Sequence, residues 1–135
     1  MSILGHNVSR TLLAQAVATS VAVLLLAALL PALAVPPTRE ITLLTTDMAF
    51  YIAGDASTPN PTIDVKAGER VRIVLRNQDR GMKHDFAVPA SAATISAIRW
   101  NESGEVTFDV PDAPGDYQYE CRPHRPMMRG VLRVH

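Results

Sequence analysis

The sequence predicts an all-β fold, a sandwich of two sheets built by residues 35–135 behind an apolar amino-terminal segment. Two observations lead to this prediction. Short stretches place apolar side chains at every second position, which is typical of strands with one buried face. Gly- and Pro-rich turns separate these stretches, and no long segment with a period of 3.6 follows Pro37. Many short strands joined by turns favour a β-sandwich over an α/β fold.

The first half of the domain contains two clear strand patterns. The β-branched stretch ITLLTT at 41–46 predicts a strand, and GDASTPNP at 54–61 predicts a loop. A tight turn at 66–69 leads into RVRIVLRN at 70–77, where Val, Ile and Leu occupy alternate positions. That period of two predicts a half-buried strand.

The second half adds further short strands, giving six or seven in all. HDFAV at 84–88 predicts a strand that Pro89 ends, whereas 90–98 fits either a helical turn or an irregular crossing. The stretch YQYEC turns both tyrosines and Cys121 to one face. We therefore expect Cys121 to point inward at the end of its strand. The remaining predicted strands are 105–110, 117–121 and 130–135.

Residues 1–34 have the pattern of a secretory signal peptide. Arg10 is followed by an apolar run at 11–30 and by the small-residue sequence Ala32–Ala34. The alternative is an uncleaved membrane anchor, since the run is about 20 residues long, enough to cross a bilayer. Either reading predicts an exported protein, periplasmic or otherwise extracytoplasmic, with residues 35–135 as a single domain.

Charge and cysteine content narrow the possible functions. The formal net charge is zero and no basic run is present, so nothing indicates nucleic-acid binding. The sequence has one cysteine, Cys121, which excludes an intramolecular disulfide. In an oxidising compartment, a lone thiol must be reactive, buried or bound to a metal.

Soft metal-ligand side chains are concentrated in the segment CRPHRPMMRG at 121–130. It holds Cys121, His124 and the pair Met127 and Met128. Thiolate, imidazole and thioether groups together suit copper, and a trigonal copper site needs one thiolate, two imidazoles and a weak axial thioether. The second imidazole must come from elsewhere in the chain.

His84 is the best candidate for that second imidazole. His6 precedes the predicted cleavage site, and His135 is the carboxy-terminal residue. His84 opens a predicted strand, whose end can lie beside the loop that follows Cys121. The predicted metal ligands are therefore His84, Cys121, His124 and one of Met127 and Met128.

The segments HDF and PGDYQYECRPHRPMMRGVLRV resemble the cupredoxins, the type 1 blue copper proteins. The loop pattern is closest to amicyanin-like and plastocyanin-like members, and VKAGERVRIVLRN is similar to an early strand of the family. The resemblance covers most of residues 40–135. It implies a cupredoxin-like Greek-key β-sandwich with one type 1 copper ion that cycles between Cu(I) and Cu(II).

The resemblance also implies how such a protein would work. It would be an electron carrier and not an enzyme, exchanging electrons with redox partner proteins through the partly exposed His124. Apart from the resemblance, Arg122, Arg125 and Arg129 are either ordinary solvated charges or a basic rim around His124 that would steer an acidic partner.

Two positions depart from the family pattern. The spacing from His124 matches Met127 to the family's axial methionine, whereas the spacing to the following Arg-Gly matches Met128. Met128 is preferred, because the last strand fixes its own register. Asp85 stands where many members have Asn, which puts in question the bond that ties the two ligand segments together.

Other interpretations explain the residues less well. A cysteine nucleophile would need a base and an orienting group, and zinc would usually take more Cys or His. A binuclear copper domain would need a second cysteine. The serious alternative is an exported carrier or chaperone for Cu(I), since Met82, Met127 and Met128 could all bind it. Trp100 is most simply explained as a core residue.

Overall fold

The computed structural model describes residues 15–21 and 37–135. Residues 15–21 are helical and exposed, and the two described stretches belong to separate compact units. Most of the predicted signal peptide or anchor, residues 1–14 and 22–34, lies outside the described residues, so its nature stays a prediction. Within the described stretches, no helix has the length and apolar character needed to span a membrane.

Residues 37–135 form nine strands in two sheets. The first sheet has the order β2-β1-β4-β7 and the second the order β3-β9-β8-β5-β6, with one parallel pair in each. The predicted all-β sandwich of two sheets is confirmed. The strands are β1 (Arg39–Thr46), β2 (Ala49–Ile52), β3 (Ile63–Val65), β4 (Arg70–Asn77), β5 (His84–Val88), β6 (Ala93–Ile98), β7 (Ser103–Asp109), β8 (Gly115–Glu120) and β9 (Arg129–Val134).

Three strands had no counterpart in the sequence prediction. β2 and β3 have four and three residues, too few for a period of two to stand out. The ambiguous stretch 90–98 divides into a 3₁₀ turn at Pro89–Ser91 and strand β6. Tertiary pairing with β5 therefore decides its conformation, with Phe86 opposite Ile95.

The core lies between the two sheets and takes side chains from both. Leu43 and Ile73 come from the first sheet, and Phe86 and Leu132 come from the second; all four are buried. In β4, alternate residues are buried, as its period of two predicts. Burying each side chain of this size stabilises the fold by about 1.5–3 kcal/mol.

An aromatic cluster fills part of the core between the two sheets. The rings of Phe50, Phe86 and Tyr119 have centroids 5.5–6.1 Å apart. The Tyr119 hydroxyl donates to the Pro61 carbonyl at 2.6 Å, so its buried polar group has a partner. Gly130 lies opposite Tyr119, and a Cβ at that position would overlap the tyrosine ring. This close contact sets the register of β9 against β8.

A two-residue turn joins β1 and β2. Asp47 and Met48 have φ angles of 48° and 58°, and Thr46 pairs with Ala49. Two left-handed residues in a two-residue hairpin loop define a type I′ turn, which usually contains Asn-Gly or Asp-Gly. A methionine in this conformation costs about 1 kcal/mol or more, so other contacts must stabilise the turn.

The prediction that Trp100 belongs to the core is wrong. Its side chain is 46% exposed, and the Arg80 guanidinium lies over the ring, 4.4 Å from the centroid. A cation over an indole face is favourable at the surface, which accounts for the position of this large ring outside the core.

Candidate metal centre

The end of the sandwich where β5 begins and β8 finishes brings three metal-ligand side chains together. β5 and β8 are antiparallel neighbours, so the first residue of β5 lies near the residue that follows β8. The ligand atoms of His84, Cys121 and His124 all lie within 4.8 Å of one another. The Cys121 Sγ is 3.8 Å from His84 Nδ1 and 3.5 Å from His124 Nδ1.

The segment after Cys121 is a compact loop held by backbone hydrogen bonds. A 3₁₀ turn at Arg122–His124 follows the cysteine, with proline in its first turn. The Cys121 N–H donates to the Met128 carbonyl at 2.9 Å, which closes the loop at its base. The N–H groups of Met127 and Met128 both donate to the His124 carbonyl at 2.9 Å. These hydrogen bonds fix the backbone of His124 and so position its imidazole.

The two adjacent methionines have opposite surroundings. Met128 is 0% exposed and belongs to the core cluster, whereas Met127 is 55% exposed. Asn60 donates to the Met127 carbonyl at 2.9 Å, which fixes the backbone at that point. The register set by Gly130 against Tyr119 determines which methionine turns inward. The duplicated methionine thus presents one thioether to the interior and one to solvent.

His84 is fully enclosed and held from its far side. Its Nε2 lies 2.9 Å from Asp79 Oδ2, while its Nδ1 faces the Cys121 sulfur. Burial lowers the pKa of His84, and the bond to Asp79 only partly offsets that effect. Burial raises the pKa of Asp79, but hydrogen bonds from the Met48 and Asp47 N–H groups and from His84 outweigh it and leave the pKa below its usual value.

Asp79 is a residue that sequence reasoning missed. It lies five positions before His84 in a turn-rich segment, where an aspartate is common for local reasons. Its role becomes visible only when the β1–β2 turn is placed beside it, more than thirty residues away in sequence. No pattern in the sequence could have separated it from other surface aspartates.

Asp85 ties the two ligand-bearing segments together. Its carboxylate is buried and accepts hydrogen bonds from the Arg122 backbone N–H and from Arg122 Nε, both at 2.7 Å. The sequence left open whether Asp85, which replaces the family's asparagine, still bonds the two segments. The structure shows that it does, because Asp85 joins β5 to the loop at Arg122, directly after Cys121. A buried carboxylate with these partners brings negative charge close to the sulfur.

The arginines of the loop are not equivalent. Arg122 pairs with Asp85, and Arg125 pairs with Glu120, a carboxylate that is almost fully buried. Among residues 37–135, Arg129 has no such ion pair. The predicted basic rim is therefore partly neutralised, and Arg129 is the arginine whose charge is not matched in this way.

Two other residues discussed from the sequence lie apart from the centre. Met82 is 40% exposed, which places it at the rim and not in the core. His135 Nε2 lies 2.7 Å from Asp64 Oδ1, at the carboxy-terminal end of β9. His6 is outside the described residues.

The donor set fits copper. One thiol and two imidazole nitrogens face a common point in a mostly buried position, and the Met128 side chain is buried in the same core cluster as Cys121. Burial raises the pKa of the Cys121 thiol to about 11. A thiol buried in this way stays protonated until a metal cation replaces the proton. These are the donors and surroundings of a soft-metal site, not those of magnesium or calcium.

The chain matches the sequence model of one protein family, and its fold is similar to that of several solved structures. A sequence model described as a cupredoxin-like domain matches residues 19–134. Auracyanin B superposes with a TM-score of 0.60 at 22% identity, over 76% of this chain and 91% of that one. No match was found among curated proteins.

Two further solved structures are similar. Auracyanin A, described as a "blue" copper protein from the green thermophilic photosynthetic bacterium Chloroflexus aurantiacus, is 25% identical, with a TM-score of 0.55 over 75% of this chain and 100% of that one. Rusticyanin from Thiobacillus ferrooxidans is 22% identical, with a TM-score of 0.54 over 73% of this chain and 77% of that one.

Proposed function

The chain belongs to the cupredoxin-like domain family, and from this premise we propose that it transfers single electrons through one copper ion in a type 1 centre. The observation that carries the proposal is the meeting of His84, Cys121 and His124, whose ligand atoms lie within 4.8 Å of one another. One thiolate with two imidazoles is the donor set of blue copper centres. When bound, copper supplies a couple that accepts and releases one electron.

We assign the ligands from the positions of their donor atoms. His84 and His124 would each bind through Nδ1 and Cys121 through Sγ, since these atoms face one another. Met128 would be the axial ligand. Its burial in the core cluster that also holds Cys121 supports this choice, while the exposure of Met127 argues against the other methionine. A weak axial thioether tunes the potential more than it anchors the metal.

The two histidines would have different tasks in electron transfer. His84 is enclosed and hydrogen-bonded on its outer nitrogen, so it holds the centre in place. His124 is half-buried and lies on the loop, so it offers the shorter route to a redox partner. A rigid β scaffold limits the rearrangement that accompanies each transfer. This proposal assigns no catalytic step and no substrate pocket to the protein.

A second candidate function is the carriage of Cu(I) to another protein. The exposed thioethers of Met82 and Met127 favour it, because a soft, solvent-facing donor can take part in metal exchange. The two functions make different demands. A carrier binds and releases Cu(I), whereas an electron carrier keeps the metal in both oxidation states.

Copper loading of the full chain distinguishes these functions. We expect one copper per chain, an intense visible absorption from the thiolate–Cu(II) pair, and repeated reduction and reoxidation without loss of metal. The measurements are metal analysis, visible and electron paramagnetic resonance spectra, and cyclic voltammetry. A colourless protein that retains only Cu(I) would replace electron transfer with the carrier function.

A pair of methionine variants tests the axial assignment. Met128→Leu should shift the reduction potential and the visible spectrum, because it removes the thioether beside the metal. Met127→Leu is the matched control and should change neither. A shift in the Met127 variant alone would assign the axial position to that residue instead.

The site of action remains part of the proposal. The pattern in residues 1–34 supports export to a periplasmic or other extracytoplasmic compartment, with membrane attachment only where that segment is not cleaved. The intact mass of the protein recovered from its host tests this directly. A mass equal to that of residues 35–135 indicates cleavage after Ala34, and the full mass indicates an anchor.

A further inference from the structure

A partly buried hydrogen-bond network connects the β1–β2 turn to the metal centre. The Asp79 carboxylate lies between them, where it accepts two backbone hydrogen bonds and contacts the His84 ring. Its Oδ1 accepts from the Asp47 N–H at 2.9 Å, and its Oδ2 accepts from the Met48 N–H at 3.1 Å and lies 2.9 Å from His84 Nε2. The type I′ turn directs both of its N–H groups at this one side chain. The contact satisfies the two groups and stabilises a turn that Met48 otherwise disfavours.

Asp79 is held on its backbone side as well. Its N–H donates to Asn77 Oδ1 at 2.8 Å, and Asn77 is buried at the end of β4. The Asn77 side-chain amide in turn donates to the carbonyls of Met82 and Ile98, at 2.8 and 3.0 Å. The segment that carries Asp79 is therefore fixed at both ends before it reaches His84.

This arrangement determines the state of the imidazole. A carboxylate held by two N–H donors acts as an acceptor, so the nitrogen of His84 that faces it carries hydrogen. The lone pair is then on Nδ1, which points at the Cys121 sulfur 3.8 Å away. Carboxylate–histidine–metal arrangements fix the ring and make the imidazole a stronger donor.

The other histidine lacks this support. Within the described part of the chain, His124 has the Cys121 sulfur as its side-chain partner and no carboxylate at hydrogen-bond distance. The two imidazoles thus differ in charge environment as well as in exposure. A negative charge behind one ligand favours the more highly charged ion, which is Cu(II).

We propose that Asp79 is a positioning residue, anchored by the Asp47–Met48 turn, that orients His84 toward the metal and biases the centre toward Cu(II). The inference rests on the proposed type 1 copper function and deepens it. It assigns to the β1–β2 turn, which contributes no ligand, an influence on the reduction potential. The charge and orientation of Asp79 carry that influence to the metal.

The test compares the full chain with Asp79→Asn and with a matched control, Asp116→Asn. Asp116 pairs with Arg133 at the far end of β8, so it loses a surface charge without touching the centre. We expect Asp79→Asn to weaken Cu(II) binding roughly 10- to 100-fold, with Cu(I) binding less affected. Each tenfold difference between the two ions raises the potential by about 59 mV. Competition with chelators of each ion and voltammetry measure these effects.

A second readout does not depend on copper. Nitrogen-15 NMR of the metal-free protein reports which ring nitrogen of His84 carries hydrogen. We expect hydrogen on Nε2 in the wild-type protein and a mixture of the two forms in Asp79→Leu, which has no acceptor. Thermal unfolding of each metal-free variant separates these effects from loss of the fold.

The outcomes are distinguishable. A blue wild-type protein whose potential is unchanged in Asp79→Asn would overturn this inference alone, as would an equal loss of affinity for both ions. A wild-type protein without a blue centre would overturn the proposed function, and this inference with it. A raised potential in Asp79→Asn but not in Asp116→Asn supports the role of Asp79.

Discussion

His84 and His124 both face the Cys121 sulfur, but they are held by different parts of the molecule. His84 begins a central strand, is 0% exposed and has a carboxylate behind it. His124 lies in a short loop, is half-buried and is fixed mainly by the backbone around it. The difference shows how one centre can combine a rigid side, which the scaffold determines, with an accessible side, which a partner can approach.

Removal of the Cys121 sulfur, which both histidines face, should have the largest effect on the spectrum of the copper-loaded protein. Cys121→Ser leaves both imidazoles in place but deletes the thiolate, so we expect the intense visible absorption to disappear completely. Absorption spectra of copper-loaded protein measure this, with circular dichroism of the metal-free protein as the check on folding. A surviving band would mean that Cys121 is not a ligand.

Replacement of each histidine by glycine tests the comparison itself. His124→Gly should leave an opening to solvent that added imidazole can fill, with recovery of the visible absorption. His84→Gly should leave an enclosed space that imidazole enters poorly, because the original ring has no exposed surface. Titration of each variant with imidazole measures the recovery. Equal recovery in both variants would contradict the proposed division between a rigid and an accessible side.

Gly130→Ala should disturb the loop side without touching a ligand. The added methyl group would overlap the Tyr119 ring, and overpacking of this kind typically costs about 1–3 kcal/mol of unfolding free energy. Urea unfolding of the metal-free protein measures the loss. Arg129→Ala is the control, because Arg129 is exposed and directly precedes Gly130. Its unfolding free energy should stay within about 0.5 kcal/mol of wild type. A Gly130 variant as stable as this control would show that the register of β9 has another origin.

Added salt should have the smallest effect. It should change only the rate of electron transfer through the accessible side of the centre, which holds His124. The rate at which hexacyanoferrate(III), a small anionic oxidant, oxidises the reduced protein should fall a few-fold as salt rises. The effect should be modest, because Arg122 and Arg125 are paired with carboxylates. Arg129→Ala should flatten this dependence of the rate on salt. Arg70→Ala should not, because Arg70 lies at the end of β4 that is away from the metal centre. A rate independent of salt would remove the argument for steering by a basic rim.

The sequence predicted those features of the fold that depend on local pattern. The alternation in 70–77 identified β4, and the spacing after Cys121 led to the cupredoxin family, which the match to the family's sequence model confirms. β2 and β3 are too short to show a period, and their existence depends on pairing with β1 and β9. Trp100 was misplaced, because a hydrophobic ring can also be stabilised at the surface by a cation.

For the site, the sequence can select candidate ligands by residue type, but it cannot show contacts between distant segments. His84, Cys121 and His124 are few enough in kind that the sequence alone could select them, and the structure brings them together. Asp79 could not be selected, because its importance comes from two N–H groups on a distant turn. The partner of Asp85 was likewise unknown until the loop placed Arg122 beside it.

The position of β9 has a consequence for how the protein folds. This strand, Arg129–Val134, lies between β3 and β8 in its sheet and pairs Ile63 with Leu132, far apart in sequence. A chain that emerges from the ribosome amino end first cannot complete this sheet, or close the loop at Met128, until β9 has emerged. Pairing of such distant segments is slow. Copper is therefore expected to enter a finished domain and not to guide its early folding.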